Sequence, residues 1–312
     1  MSKRTFVTGA AGFVGANLVR ALLQRGAEVH GLVQERTDLW RLAEIKSRIQ
    51  LHRGDLLNRE SLSHALAQAR PNAVFHLGVY GAYPIQIEPD KILSTAVLGT
   101  LNLLHAAKEA GAEVVVNAGS SSEYGRKDHA MREDEALEPN TYYGIAKAAQ
   151  TMLSQYFSGS EGLPIITLRL FSVYGPFESP RRLLPTLIAR ALKGQNIELA
   201  DASIARDFIY VADAVAAFLA AAEKPELSGE IINVGSGMQH TLKDAFDAVI
   251  AATKSSSKAK SNAYPARSFD TKTWVADTTK LKALLGLSPR HSLADGVSNM
   301  VKWFSTYAKH YP

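Results

Sequence analysis

The sequence predicts an α/β fold: a doubly wound parallel sheet with a smaller C-terminal lobe. Three observations carry this. Apolar runs alternate with amphipathic stretches through the first half, which is the pattern of βαβ units. Those runs are Val/Ile-rich without polar alternation, so both faces of the sheet are covered. Three glycines follow the first run, where a strand gives way to a helix.

The elements read off in order. "TFVTGA" is a buried strand, and "GFVGANLVRALLQRG" is a helix with apolar residues at helical spacing that ends on Gly26. "EVHGLV", "IQLHRGDL", "NAVFHLG" and "EVVVNAGS" are the next four strands, with "ILSTAVLGTLNLLHAAKEAG" a helix between the last two. "LPIITLRLFSVYG" reads as one continuous sixth strand. Beyond Gly175 the pattern loosens. "PFESPRRLLP" is a proline-bounded loop into a helix, "RDFIYVADAVAAFLAAAEK" a strand into an Ala-rich helix, and "EIINVGSG" a return to strand. "KSSSKAKSNAYPARSFD" reads as a polar surface loop, and "LADGVSNMVKWFSTYAKHY" as an amphipathic C-terminal helix. The expected division is a dinucleotide-binding domain over 1–172, with 203–235 returning to it, and a lobe made of 173–202 and 236–312.

Composition narrows the function classes. The chain has 312 residues, enough for one large or two modest domains, with 46% apolar and 21% charged residues. There is no cysteine, which excludes disulfide and thiolate chemistry and fits a reducing, cytoplasmic setting. The start reads as a strand, not a signal peptide, and no apolar run approaches the ~20 residues that span a bilayer. Lys plus Arg exceeds Asp plus Glu by 35 − 30 = 5, but the excess is scattered, which suits an anionic small molecule better than a nucleic acid. The histidines show no metal-ligand spacing, and His76 reads as a packed strand residue.

"VTGAAGFVGANL" sets Gly9, Gly12 and Gly15 between strand and helix. Such glycines serve a tight turn, the approach of backbone to a pyrophosphate, and close helix–strand packing. The N–H groups of the helix start then face the phosphates. A ribose would be read at the end of the second strand, where an acid selects NAD and an arginine accommodates NADP. Here Gln34, Glu35 and Arg36 follow the strand, with Arg41 near, and this favours NADP(H) while leaving NAD(H) possible through Glu35. Asp55, after the third strand, either meets the adenine edge or caps the next helix.

In "PNTYYGIAKAAQ", Tyr143 and Lys147 are four residues apart, hence on one face of one helix. Hydride transfer at a hydroxyl carbon needs a base, and a tyrosine with an ordinary pKa of about 10 serves near neutrality only beside a cation. A hydroxyl from "GSSSEYG", just past the fifth strand, would polarise the carbonyl opposite.

"TGAAGFVG", the serine run before "YG", "YYGIAK", "LRLFSVYGP" and "RDFIYVADAV" together resemble the extended short-chain dehydrogenase/reductases. More narrowly the chain is similar to the NAD(P)-dependent nucleotide-sugar epimerases, dehydratases and 4-ketoreductases, from end to end. The resemblance implies a Rossmann domain, Tyr143 as acid/base with Lys147 contacting the cofactor, and Ser120, or Ser121 beside it, as the hydroxyl. It implies cofactor contacts from Gly9, Gly12, Phe13, Val14, Gly15, Arg36, Asp55, Leu56 and Leu77. Substrate contacts are expected from Tyr80, Ser122, Glu123, Ser172, Arg181, Arg206 and Arg267, with Tyr83, Gln86 and Arg182 nearby. The partner implied is a nucleotide-diphosphate sugar, and the helices "ILSTAVLGTLNLLHAAKEAG" and "YYGIAKAAQTMLSQYF" suit a homodimer bundle.

Three departures from the family pattern matter. Ser172 and Ala96 stand where the family has asparagines. Ser121 and Ser122 stand where the 4,6-dehydratases have an Asp-Glu pair, and a lone Glu123 follows in an apolar register. The expectation is therefore an oxidoreductase at C4 of a nucleotide-diphosphate deoxysugar, foremost a 4-ketoreductase. A 4-epimerase with tightly held NAD is the alternative. The presence of both Tyr143 and Lys147 speaks against a non-catalytic dinucleotide sensor.

Overall fold

The computed structural model describes residues 3–83, 85–263 and 270–311. Its first strand, β1 (Arg4–Thr8), is paired in parallel on both sides, with β2 (Glu28–Val33) and with β4 (Ala73–His76). β2 pairs in parallel with β3 (Gln50–Arg53), and β4 with β5 (Val114–Ser120). β6 (Ile165–Leu170) and a later strand, β10 (Ile231–Val234), complete seven strands in the order β10-β6-β5-β4-β1-β2-β3. Chain order reverses between β1 and β4, and in such sheets a ligand crevice opens beyond the carboxyl ends at that point.

The helices follow from the sequence patterns. α1 (Phe13–Gln24) buries Leu18, Val19 and Leu22. α2 (Arg59–Ala69), α3 (Pro89–Glu109) and α4 (Tyr142–Glu161) bring Leu62, Leu66, Leu103, Leu104 and Phe157 into one apolar cluster with Phe6, Val74, Val115 and Ile165 of the strands. Truncating any of these leucines to alanine would cost about 2–5 kcal/mol.

The sixth strand is not continuous. β6 stops at Leu170, and β7 (Ser172–Tyr174) joins a separate three-stranded sheet, order β11-β9-β7, with β9 (Ala205–Tyr210) and β11 (Gln239–Thr241). Between them the Phe171 N–H is taken by the Val234 carbonyl, which ends one ladder before the other begins. The polar stretch after α7 (Leu242–Thr253) is also not all loop, because β12 (Ala259–Lys260) pairs in parallel with β8 (Ile197–Glu198). α5 (Leu183–Leu192), α6 (Val211–Ala222), α8 (Thr279–Leu285) and α9 (Leu293–Tyr307) complete the elements.

The chain forms two compact units. The first holds Met1–Gly125, Ala136–Arg169 and Val215–Ile232; the second holds Arg126–Glu135, Leu170–Ala214 and Asn233–Pro312. The segment that returns to the first unit is thus shorter than the 203–235 expected, and a stretch before α4 goes with the second.

Candidate active site

The loop after β1 has the shape a pyrophosphate needs. Gly9 has φ +70°, and a Cβ there would lie 2.7 Å from the Leu77 carbonyl. A Cβ on Gly15 would lie 2.1 Å from the Gly9 oxygen, so α1 packs on the loop only because that position is glycine. The Gly12 N–H donates to the Gly9 oxygen at 2.8 Å, and Gly12 caps α1 without a side-chain hydrogen bond. The first-turn N–H groups, those of Phe13 and Val14 among them, belong to an N-terminus with no side-chain cap, which suits an anion. Leu77 follows β4 across from this loop, and Leu56 packs beneath the Gly78 backbone.

At the outer end, Gln34 Nε2 donates to Asp55 Oδ2 at 2.7 Å, tying the end of β2 to the end of β3. Asp55 is not the cap of α2: Asn58 is, accepting from the Ser61 N–H at 3.0 Å. Arg53 donates to the Gln34 and Glu35 carbonyls, both at 2.9 Å, which fixes the turn that carries Arg36. Arg36 itself is exposed, and Arg41 lies over the Trp40 ring.

The Tyr-Lys helix starts against the serine run. Thr141 caps α4 by accepting from the Gly144 N–H at 3.0 Å. A Cβ on Gly144 would come within 2.5 Å of the Ser122 oxygen, so glycine lets the helix start touch that turn. Tyr143 is half-buried and Lys147 is buried one turn further along α4. Lys147 Nζ donates to the Ala118 carbonyl at 2.8 Å and to Gln150 Oε1 at 2.9 Å. Burial pushes the Lys147 ammonium down to about 8, against the opposing pull of Glu123.

Ser120 and Ser121 are buried, and Ser122 is half-buried. Ser120 Oγ accepts from the Ser122 N–H at 3.2 Å, while the Ser120 N–H donates to Glu123 Oε1 at 2.7 Å. The Ser120 side chain also accepts from the Glu123 N–H, and this bond with the one to Glu123 Oε1 forms a capping box around a single 3-10 turn. Glu123 is therefore a correction to the sequence reading: it has no exposed surface and cannot touch a sugar. Its other oxygen accepts from Arg169 Nε at 2.8 Å, and Arg169 also donates to the Tyr124 hydroxyl at 2.9 Å. Burial pushes the Glu123 carboxyl up, with Arg169 opposing.

His76 is the packed strand residue expected. It is held between the Thr8 and Thr100 hydroxyls at 2.8 and 2.9 Å, and burial pushes it down to about 3. Tyr80 packs against Ile92, Ala96 and Ala146, its hydroxyl donates to Glu88, and Lys91 lies 4.4 Å from its ring centre. Gln86 staples the loop by accepting from the Gly81 and Tyr83 N–H groups, so its amide oxygen is already engaged.

Three further candidates lie in the second unit. Ser172 is half-buried on β7, in register with Phe208 of β9. Arg181 is exposed before α5. Arg206, on β9, pairs with Asp270 at 3.4 Å and lies over the Trp274 ring. Arg267 lies outside the described residues.

The family model described as "NAD dependent epimerase/dehydratase family" matches residues 5–235. The chain belongs to this family. It is 29% identical over 311 residues to the UDP-glucose 4-epimerase of Mycolicibacterium smegmatis, covering 96% of this chain and 98% of that one. The solved UDP-glucose 4-epimerase of Thermotoga maritima, with UDP-glucose, aligns at TM-score 0.90 and 27% identity over 97% of this chain and 99% of that one. The Thermus thermophilus UDP-glucose 4-epimerase, in complex with NAD, aligns at 0.87 and 29%, over 97% and 99%.

Sequence reasoning missed what surrounds Lys147. Gln150 and Asn117 are both buried, and Gln150 Nε2 donates to Asn117 Oδ1 at 2.6 Å. The one sequence signal was a polar residue, Asn117, within an otherwise Val/Ala strand.

Proposed function

We propose that the chain interconverts C4 epimers of a nucleoside-diphosphate sugar, with Tyr143 as the acid/base and NAD(H) as the redox partner. The observation that carries this is Lys147: a buried ammonium, fixed by neutral acceptors, one helical turn from Tyr143 and at the end of β5 beside the serine turn. The glycine cradle fits a dinucleotide, because side-chain carbons at Gly9 or Gly15 would close it. Bound NAD(H) would supply the hydride acceptor and donor. Tyr143 takes the proton from the C4 hydroxyl as that carbon is oxidised and returns it after the keto sugar has turned. Lys147 stabilises the phenolate by its charge, and Ser120 offers a hydroxyl to the C4 oxygen. Arg181 and Arg206 are the basic residues proposed for the diphosphate.

The relatives named as epimerases support epimerisation. Elimination of water is disfavoured, since Ser121 and Ser122 carry no acid and Glu123 is sealed against Arg169. A second reading, 4-keto reduction with NADP(H), is favoured by Gln34 in place of an acid after β2 and by the exposed Arg36. Incubation with NAD and UDP-glucose or UDP-glucuronate, followed by NMR of the product, tests the first. Expected is the C4 epimer with no net NADH. Net consumption of NADPH with a 4-keto sugar, and no epimer, would replace it by the second.

We also infer a homodimer. Ile145, Met152 and Tyr156 form one stripe on α4, all between 45% and 64% exposed, and Leu98 of α3 is 54% exposed. A second copy would cover this stripe. Sedimentation of Met152→Glu should then give a monomer where the native chain gives a dimer.

A further inference from the structure

An ammonium has three hydrogens, and Lys147 gives two of them to acceptors that differ in kind. The Ala118 carbonyl belongs to β5 and is placed by the sheet. The Gln150 oxygen belongs to a side chain, which needs to be aimed. The aiming comes from behind. Gln150 Nε2 donates to Asn117 Oδ1 at 2.6 Å, and Asn117 Nδ2 donates to Thr167 Oγ1 at 3.2 Å. With its nitrogen engaged on Asn117, the amide presents its oxygen to Lys147. The reversed amide would set an NH2 against an ammonium. A relay of neutral groups thus runs from β6 through β5 to α4, and all its members are buried.

We propose that Gln150 is the positioning residue of the acid–base couple, keeping the Lys147 ammonium charged and leaving its third hydrogen to the Tyr143 side of α4. This rests on the reading of Tyr143 and Lys147 given above. A neutral acceptor favours the charged form without cancelling its field. The ionisable groups that face the ammonium cannot take over the task. Glu123 is held by the Ser120 N–H and Arg169, and His76 on β4 is neutral and held by two threonines. Tyr143 is the group being served. Among the described residues Gln150 is the one side-chain acceptor bonded to Lys147.

The test is the pH dependence of kcat/KM with UDP-glucose and NAD. The pH dependence of NADH affinity, read by nucleotide fluorescence, follows the same lysine without any sugar. In Gln150→Met the alkaline limb should move to lower pH by about one unit, the worth of one hydrogen bond to a charged donor. Asn117→Ala removes the anchor but not the acceptor, should move the limb the same way by less, and decides the matter if Gln150→Met does not fold. Ser154→Ala loosens the same helix, since Ser154 Oγ donates to the Gln150 carbonyl, but it does not touch Lys147 and should leave the limb in place. Unmoved limbs in Gln150→Met and Asn117→Ala, or an equal move in Ser154→Ala, overturn the proposal. Tyr143→Phe run in parallel separates the two levels. If it is inactive while Gln150→Met is normal, only the positioning role falls; if it keeps the native rate, the couple falls and this proposal with it.

Discussion

Among the described residues of the first unit, Arg169 and Lys147 are buried cations, each beside a tyrosine, and they are treated oppositely. Arg169 meets a carboxylate directly at Glu123 and gives a further hydrogen to the Tyr124 hydroxyl, whose ring it also faces at 4.6 Å. Tyr124 and Glu123 have no exposed surface, so this cluster is closed. Lys147 bonds no carboxylate among the described residues. Its acceptors are a backbone carbonyl and an amide, and its tyrosine, Tyr143, is half-buried on the helix beside the serine turn. A buried charge that is cancelled on contact holds a fold together. One that is only solvated by dipoles costs stability and keeps its field for another group.

That contrast is open to direct attack. The largest effect should come from Tyr143→Phe, which removes the hydroxyl proposed as the proton carrier and keeps the ring. Turnover should fall on the order of a thousandfold, with a far smaller effect on the melting curve. Arg169→Met should do the reverse. It removes the cation that pairs with the buried Glu123 carboxylate and the hydrogen given to the Tyr124 hydroxyl, at a cost of about 3–5 kcal/mol in urea unfolding, while the folded fraction stays active.

A smaller effect concerns His76, which sharpens the picture of a site kept free of competing charge. Its pKa is about 3 in the fold against 6.5 for a free histidine. As pH falls below 6.5 the unfolded chain takes up a proton that the folded one refuses, so stability drops until about 3. The slope is at most about 1.4 kcal/mol per pH unit, and urea midpoints of His76→Gln should show a shallower acid decline.

Local signals explain why so much of this was legible. The glycine spacing fixed the cradle, because only Gly9 and Gly15 escape the Leu77 carbonyl and the Gly9 oxygen. The four-residue spacing of Tyr143 and Lys147 put them on one helical face whatever surrounds them. What stayed hidden depends on distant partners. Glu123 looked like a pocket residue because its arginine lies 46 positions downstream. Nothing in the sequence marks Gln150, because Asn117, which aims it, lies 33 positions upstream. The break after Phe171 depends on partners far along the chain, Val234 for the last rung of one sheet and Phe208 to Tyr210 for the next, which no reading of "LPIITLRLFSVYG" alone contains.

The most direct test of the central claim is the pH–rate profile of the native chain beside Lys147→Met, each with NAD and the nucleotide sugar it turns over. A decline above about 8 in the native chain, as Lys147 loses its proton, is predicted. The variant should be slower on the order of a thousandfold, lack that break, and fold at least as well, since a buried charge has been removed. A variant with the native rate and the native break near 8 would contradict the account.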